Sequence, residues 1–278
     1  MNALTPWVLG LATAGGGPDK VRRVVNGRLV VVTGISRGIG REVARRLVSV
    51  GATVIGIART PTSLDDLTAP QRGAFHMLAG DLRDTDWATS AGQCIVTDFG
   101  PPALVVSNAG HSIHRHLEEY TERFHDVART TGVNYLGAVA LALPLLAAMR
   151  DAGAGHLLSV TTTSVDVPTP GWSVYSASKA AYETWLRTVA PELRANGVAT
   201  TSVHLPRVTT AMSAPTAGRY PMPELTVAQA ADVICRAIVR RPHHVVPWWA
   251  RVGAAVSGAW PDGVQRAWEI ALRAGVQP

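Results

Sequence analysis

Three glycines set between a branched apolar run and an amphipathic stretch limit most strongly what this chain can fold into. The run Leu29–Val32 ends at Thr33-Gly34, and Ile35-Ser36-Arg37-Gly38-Ile39-Gly40 follows. Val43, Ala44, Leu47 and Val48 then recur at helical spacing as far as the stop at Gly51. A short continuous branched run reads as a strand buried on both faces, and spacing of three and four reads as one face of a helix. In a strand, glycine turn, helix arrangement the turn's backbone amides and the positive end of the helix dipole converge on one point, where a pyrophosphate can be held. Gly34, Ser36, Arg37, Gly38, Ile39 and Gly40 are therefore the first candidate binding residues.

The same rhythm continues through Thr53–Ala58, His76–Ala79, Leu104–Ser107, His156–Val160 and Thr200–Leu205, each preceded by a helix-like stretch. Strands alternating with helices predict right-handed crossovers and an α/β fold, a doubly wound parallel sheet with helices on both faces. The 278 residues suit a single domain of this kind. It is expected over 28–245, with an N-terminal extension at 1–27 and a tail at 246–278. Ala211–Glu224 breaks the rhythm with Pro215, Gly218, Pro221 and Pro223, and reads as an irregular lid.

Composition excludes several classes. The two cysteines, Cys94 and Cys235, have neither disulfide-framework nor metal-site spacing, which favours a reducing, cytoplasmic setting. No positive charge precedes the apolar first residues, so no secretory signal is expected, and no uninterrupted apolar run reaches the roughly 20 residues of a bilayer span. A net charge of +6 favours anionic partners such as phosphorylated cofactors, acyl thioesters or anionic lipid. Arg and Lys are scattered rather than clustered, so nucleic acid is not expected.

The second strand ends in Ala58-Arg59, where a carboxylate would be needed to accept hydrogen bonds from the ribose hydroxyls of NAD. Arg59 cannot accept them. With Arg37 in the glycine turn it offers a charge-assisted clamp for a 2′-phosphate, so the expected cofactor is NADP(H).

Further motifs follow in order: Asp81-Leu82, Ser107-Asn108-Ala109-Gly110, Asn134 in Val133-Asn134-Tyr135-Leu136-Gly137, and Tyr175-Ser176-Ala177-Ser178-Lys179. With the glycine turn, this set resembles the short-chain dehydrogenase/reductase family, whose Rossmann-like domain the resemblance extends over about residues 28–245. The resemblance implies that Asp81 and Leu82 meet the adenine ring. Asn108, Ala109 and Gly110 then line the cofactor cleft, and Asn134 steadies a proton relay. It makes Tyr175 the general acid/base and Lys179 its partner at the nicotinamide ribose. Residues four apart on a helix share a face, so the ammonium can lie beside the phenol and favour its ionised form.

Two positions depart from the family pattern. Thr162 stands thirteen residues before Tyr175, where a serine is usual; its hydroxyl has the same donor and acceptor capacity and is expected to polarise a substrate carbonyl, with Ser164 and Ser159 as fallbacks. Pro206-Arg207 replaces Pro-Gly. The stretch Leu205–Thr216, with Arg123-Phe124-His125-Asp126 and Arg129-Thr130, resembles reductases of long-chain acyl-CoA, which implies that Pro206, Val208 and Thr210 approach the nicotinamide carboxamide.

The expected function is NADPH-dependent hydride transfer to the carbonyl of an apolar, acyl or lipid-like small molecule. A ketoacyl or steroid-like carbonyl reductase is one alternative, and an NADP-binding regulator with impaired catalysis is another. The resemblance implies a homodimer or homotetramer formed through the helices bearing Asn134 and Tyr175. His111, His114, His116 and His125 lack acidic or cysteine co-ligands, so no metal is expected there. Trp248, Trp249, Trp260 and Trp268 in the tail leave two readings open, packing on the core or a neighbour, or peripheral contact with a membrane.

Overall fold

The computed structural model of this chain describes residues 11, 15–64, 68–167, 169–216 and 224–276. Seven parallel strands form one sheet in the order β3-β2-β1-β4-β5-β6-β7. They are β1 (Leu29–Thr33), β2 (Thr53–Ala58), β3 (Phe75–Ala79), β4 (Leu104–Ser107), β5 (Gly155–Thr162), β6 (Val198–Leu205) and β7 (His244–Val245). The central strands are apolar in both directions because both faces are covered. Val30 and Val32 of β1 enter one core, while Val31 enters the other with Ile55, Val105 and Leu157.

The first face is closed by α1 (Pro18–Val25), α2 (Gly38–Ser49) and α8 (Val227–Arg240). Val21 and Val25 of α1 sit in that core, so the segment read as an extension helps to build the domain. The second face carries α4 (Thr85–Phe99), α6 (Gly137–Asp151) and α7 (Ser173–Ala195); the short α3 (Ala69–Gly73) leads into β3. A turn of π-helix, Gly132–Leu136, joins α5 (Phe124–Thr131) to α6. The continuous helix Phe124–Asp151 is long and apolar enough to cross a bilayer. Half of its apolar window is buried in this protein, the position of a core helix.

The tail at 246–278 forms a helical hairpin, α9 (Trp248–Ala259) and α10 (Pro261–Arg273). Trp248, Val252 and Val256, four residues apart on α9, are exposed, as is Trp260 at the bend. Of the expected lid, Ala214–Thr216 makes a turn of 3-10 helix and Val208 bridges Leu225; residues 217–223 lie outside the described ones.

Between β1 and β4 the chain's direction of winding reverses, and the loops leaving the carboxyl ends of these strands separate. A doubly wound sheet has its crevice at this point, and the candidate residues gather here.

Candidate active site

The crevice has a volume of about 990 Å3, and every candidate cofactor residue from the sequence lines it except Gly40, which packs behind the turn. Gly34 holds φ +76°, a left-handed conformation that glycine adopts without strain. A Cβ on Gly40 would collide with the carbonyl oxygen of Gly34 and the amide of Asn108, so helix α2 can approach the turn this closely only without a side chain. The cradle at the start of α2 therefore stays open for a pyrophosphate. Thr33 and Asn108 tie its two sides together. Thr33 Oγ1 accepts from the backbone N–H of Asn108 and of Ala109, each at 2.9 Å, and Asn108 Nδ2 donates back to the Thr33 carbonyl at 2.9 Å.

At the far rim stand Arg37 and Arg59, both exposed and without an ion pair among the described residues. Asp81 is differently placed. Arg83 grips its carboxylate at 2.6 and 2.9 Å, which holds the group below the usual carboxylate range, and both Asp81 and Leu82 line the wall.

Thr162 ends β5 and caps the following 3-10 turn, its Oγ1 accepting from the backbone N–H of Ser164 at 3.2 Å and from Ser164 Oγ at 3.3 Å. Ser164, a fallback in the sequence reading, thus supports Thr162, while Ser159 is buried within β5. With both lone-pair directions of Thr162 satisfied, its own proton is free to point into the crevice. Thr162 and Tyr175 line the same crevice.

The titration of Tyr175 differs from the sequence expectation. Burial pushes the phenol up to about 12, and the nearby Thr162 hydroxyl offsets only part of that rise. Lys179 was expected to favour ionisation. Its own ammonium is buried, donates to the Val160 carbonyl at 3.0 Å, and is pushed down to about 8 by desolvation. Tyr175 is consequently neutral at pH 7.

Asn134 works through its neighbours. Its Oδ1 accepts from the His111 N–H at 2.8 Å, and its Nδ2 donates to the His111 carbonyl and to Ser178 Oγ, both at 2.9 Å. The side chain therefore fixes the loop after Gly110 and the residue before Lys179 from within the π turn. Such bulges recur at functional sites because they free and re-aim backbone groups.

For several residues here the sequence reading left the role open. Trp249 and Trp268 of the hairpin line the crevice with Trp172 and Met212, so the tail packs as a roof with Trp248 on its outside. The indole N–H of Trp249 is buried without a hydrogen-bond partner among the described residues. Arg207, the departure from Pro-Gly, braces this roof, donating to the carbonyls of Thr216 and Ser213 and pairing with Glu224 at 3.2 Å. His111 lines the crevice and is kept neutral by burial and by Arg129, whereas His114 stacks edge-on between His116 and Trp172. Buried Asp126 gathers Arg115, Arg123 and Arg129 at 3.1, 3.1 and 2.7 Å. A local charge pattern does not reveal which of these cations are spoken for.

Residues 28–220 match the short chain dehydrogenase family. The chain is 34% identical over 244 residues to a fatty acyl-CoA reductase of Acinetobacter baylyi, covering 87% of this chain and 83% of that one. It is also 34% identical over 252 residues to a fatty acyl-CoA reductase of Mycobacterium tuberculosis, covering 89% and 84%. A short-chain dehydrogenase structure from Streptomyces avermitilis superposes with a TM-score of 0.73 at 25% identity, covering 88% of this chain and 97% of that one. With the glycine cradle, the parallel sheet and the Tyr175–Lys179 pair already at one crevice, these likenesses make the chain a member of the short-chain dehydrogenase/reductase family of oxidoreductases, which bind a nicotinamide cofactor.

Proposed function

We propose that this enzyme uses NADPH to reduce the carbonyl of an apolar, acyl-type substrate. The observation that carries the reading is that Thr162 and Tyr175, the phenol kept neutral by burial, line one crevice with the glycine cradle under an apolar roof. The turn at Gly34–Gly40 would hold the pyrophosphate, Arg37 and Arg59 the 2′-phosphate, and Lys179 with Pro206, Val208 and Thr210 the nicotinamide end. When bound, the nicotinamide supplies the hydride.

The chain's own residues supply the rest. Thr162 donates its hydroxyl proton toward the carbonyl oxygen, so the developing negative charge meets a preorganised donor. Tyr175 transfers its phenolic proton to that oxygen. A phenol held near 12 keeps its proton until an alkoxide, a far stronger base, forms beside it. Lys179, anchored on Val160, stands ready to stabilise the tyrosinate left behind, and Asn134 keeps Ser178 and the Gly110–His111 turn in place around it. Trp172, Trp249, Trp268 and Met212 surround the path to the carbonyl with apolar surface. That lining, with the likeness to two fatty acyl-CoA reductases, supports a chain-bearing substrate over a small polar ketone.

The test is NADPH oxidation, followed by absorbance, with a panel of long and short acyl thioesters, aldehydes and ketones, and with Tyr175→Phe as the control. Turnover with the long-chain members and its loss in the variant are expected. Tight NADPH binding with no oxidation by any member would defeat the reading and favour a cofactor-binding regulator.

A further inference from the structure

Behind the crevice, two turns along α7 from Tyr175, lies a second group of titratable side chains that catalysis does not use. Glu183 of α7, His204 of β6 and His244 of β7 converge, and one ligand atom of each lies within 4.8 Å of the other two. Glu183 Oε1 is 3.5 Å from His204 Nε2 and 3.6 Å from His244 Nδ1. A tetrahedral ion bound about 2.0–2.1 Å from nitrogen and oxygen ligands sets those ligands about 3.4 Å apart. The two separations therefore suit a shared ion better than hydrogen bonds, which would be shorter.

A second observation concerns where the lone pairs point. His204 is 4% exposed, and its Nε2 is buried without a hydrogen-bond partner among the described residues. Its Nδ1 lies 2.8 Å from Asp166 Oδ2, the arrangement that holds the proton on Nδ1 and turns Nε2 toward a metal. The other oxygen of Glu183 accepts from Ser202 Oγ at 2.7 Å, which fixes the carboxylate as well. Both buried ligands thus carry an outer partner. His244 is 42% exposed and borders a cavity of about 270 Å3 lined also by His243, Arg187 and Arg194.

We propose that Glu183, His204 and His244 form a binding site for a divalent transition ion of the zinc class, with a fourth position open toward the cavity. The ion would tie α7 to β6 and β7 behind the Tyr175–Lys179 turns. Arg187 and Arg194, which line the same cavity, suit an anion or hydroxide as fourth ligand.

The experiment uses the full chain, freed of metal by chelation and dialysis and titrated with Co2+ as a spectroscopic stand-in, with Zn2+ added in competition. Saturation at one equivalent per chain, with the intense visible bands of four-coordinate Co2+, is expected, and Zn2+ should abolish the bands and raise the melting temperature. His244→Ala, at the exposed edge of the sheet, and Glu183→Gln should each weaken binding at least about tenfold. His243→Ala, one residue away and outside the cluster, should bind as the wild type does. Absence of the bands, or bands that persist unchanged in His244→Ala, overturns the proposal, the latter because the ion would then sit on other histidines. Folding of His244→Ala keeps the test decisive even if Glu183→Gln is unstable.

Discussion

The floor and the roof of the crevice are built in different ways. The floor is made of strand ends and one helix, and its groups are locked: Thr33 and Asn108 stitch β1 to β4, Asn134 clamps His111 and Ser178, and Lys179 is anchored on Val160. The roof is a hairpin on which Ala250 is the one buried hydrophobic of α9, joined by a segment that Arg207 ties down through backbone carbonyls. Under the proposed function, precision is concentrated where bonds would be made and broken, and looser apolar cover lies where an acyl chain would be accommodated.

The sharpest way to break this comparison is at Thr162. Thr162→Val removes a preorganised donor at the oxyanion and should lower kcat about 10²-fold, while Thr162→Ser retains activity. Steady-state rates equal to wild type would mean that the floor is not the reacting surface.

Lys179 tests the same region through stability. Its burial lowers the amine from 10.5 to about 8, so the charged form opposes folding below that pH and the opposition fades as pH rises from about 8 toward 10.5. Lys179→Met should therefore unfold at a higher temperature at pH 7, by an amount worth on the order of 1–3 kcal/mol, while losing turnover. Thermal melts across pH should show the wild type closing that gap between pH 8 and 10.5.

Arg59 lies on the rim between the two regions. Losing one charge-assisted contact to a 2′-phosphate should raise the KM for NADPH about 10-fold in Arg59→Ala and leave that for NADH unchanged. Parallel titrations of both cofactors measure it.

The smallest effect belongs to the roof. Trp268→Ala should raise KM for long acyl substrates about 3–10-fold with little change for short ones, since apolar contact is lost but no reacting group is. Equal effects on long and short substrates would move Trp268 from the roof to the floor.

The floor was readable because its devices are local. Three glycines at fixed offsets, a branched run before them and a phenol four residues from an amine each state a backbone geometry within one turn or one strand. The roof was not, because nothing in Trp248-Trp249 says which indole faces inward. Asp126 with its arginines, and Glu183 with His204 and His244, are brought together from different elements and carry no local signature.

By itself, then, the sequence determined the alternation of strand and helix, the cradle at Gly34–Gly40 and the shared helical face of Tyr175 and Lys179, all consequences of short-range sterics and periodicity. The tertiary structure decided the protonation of that pair and the covering of the crevice. Burial depends on what the rest of the chain places around a group, and it is burial that raises Tyr175 to about 12 and lowers Lys179 to about 8.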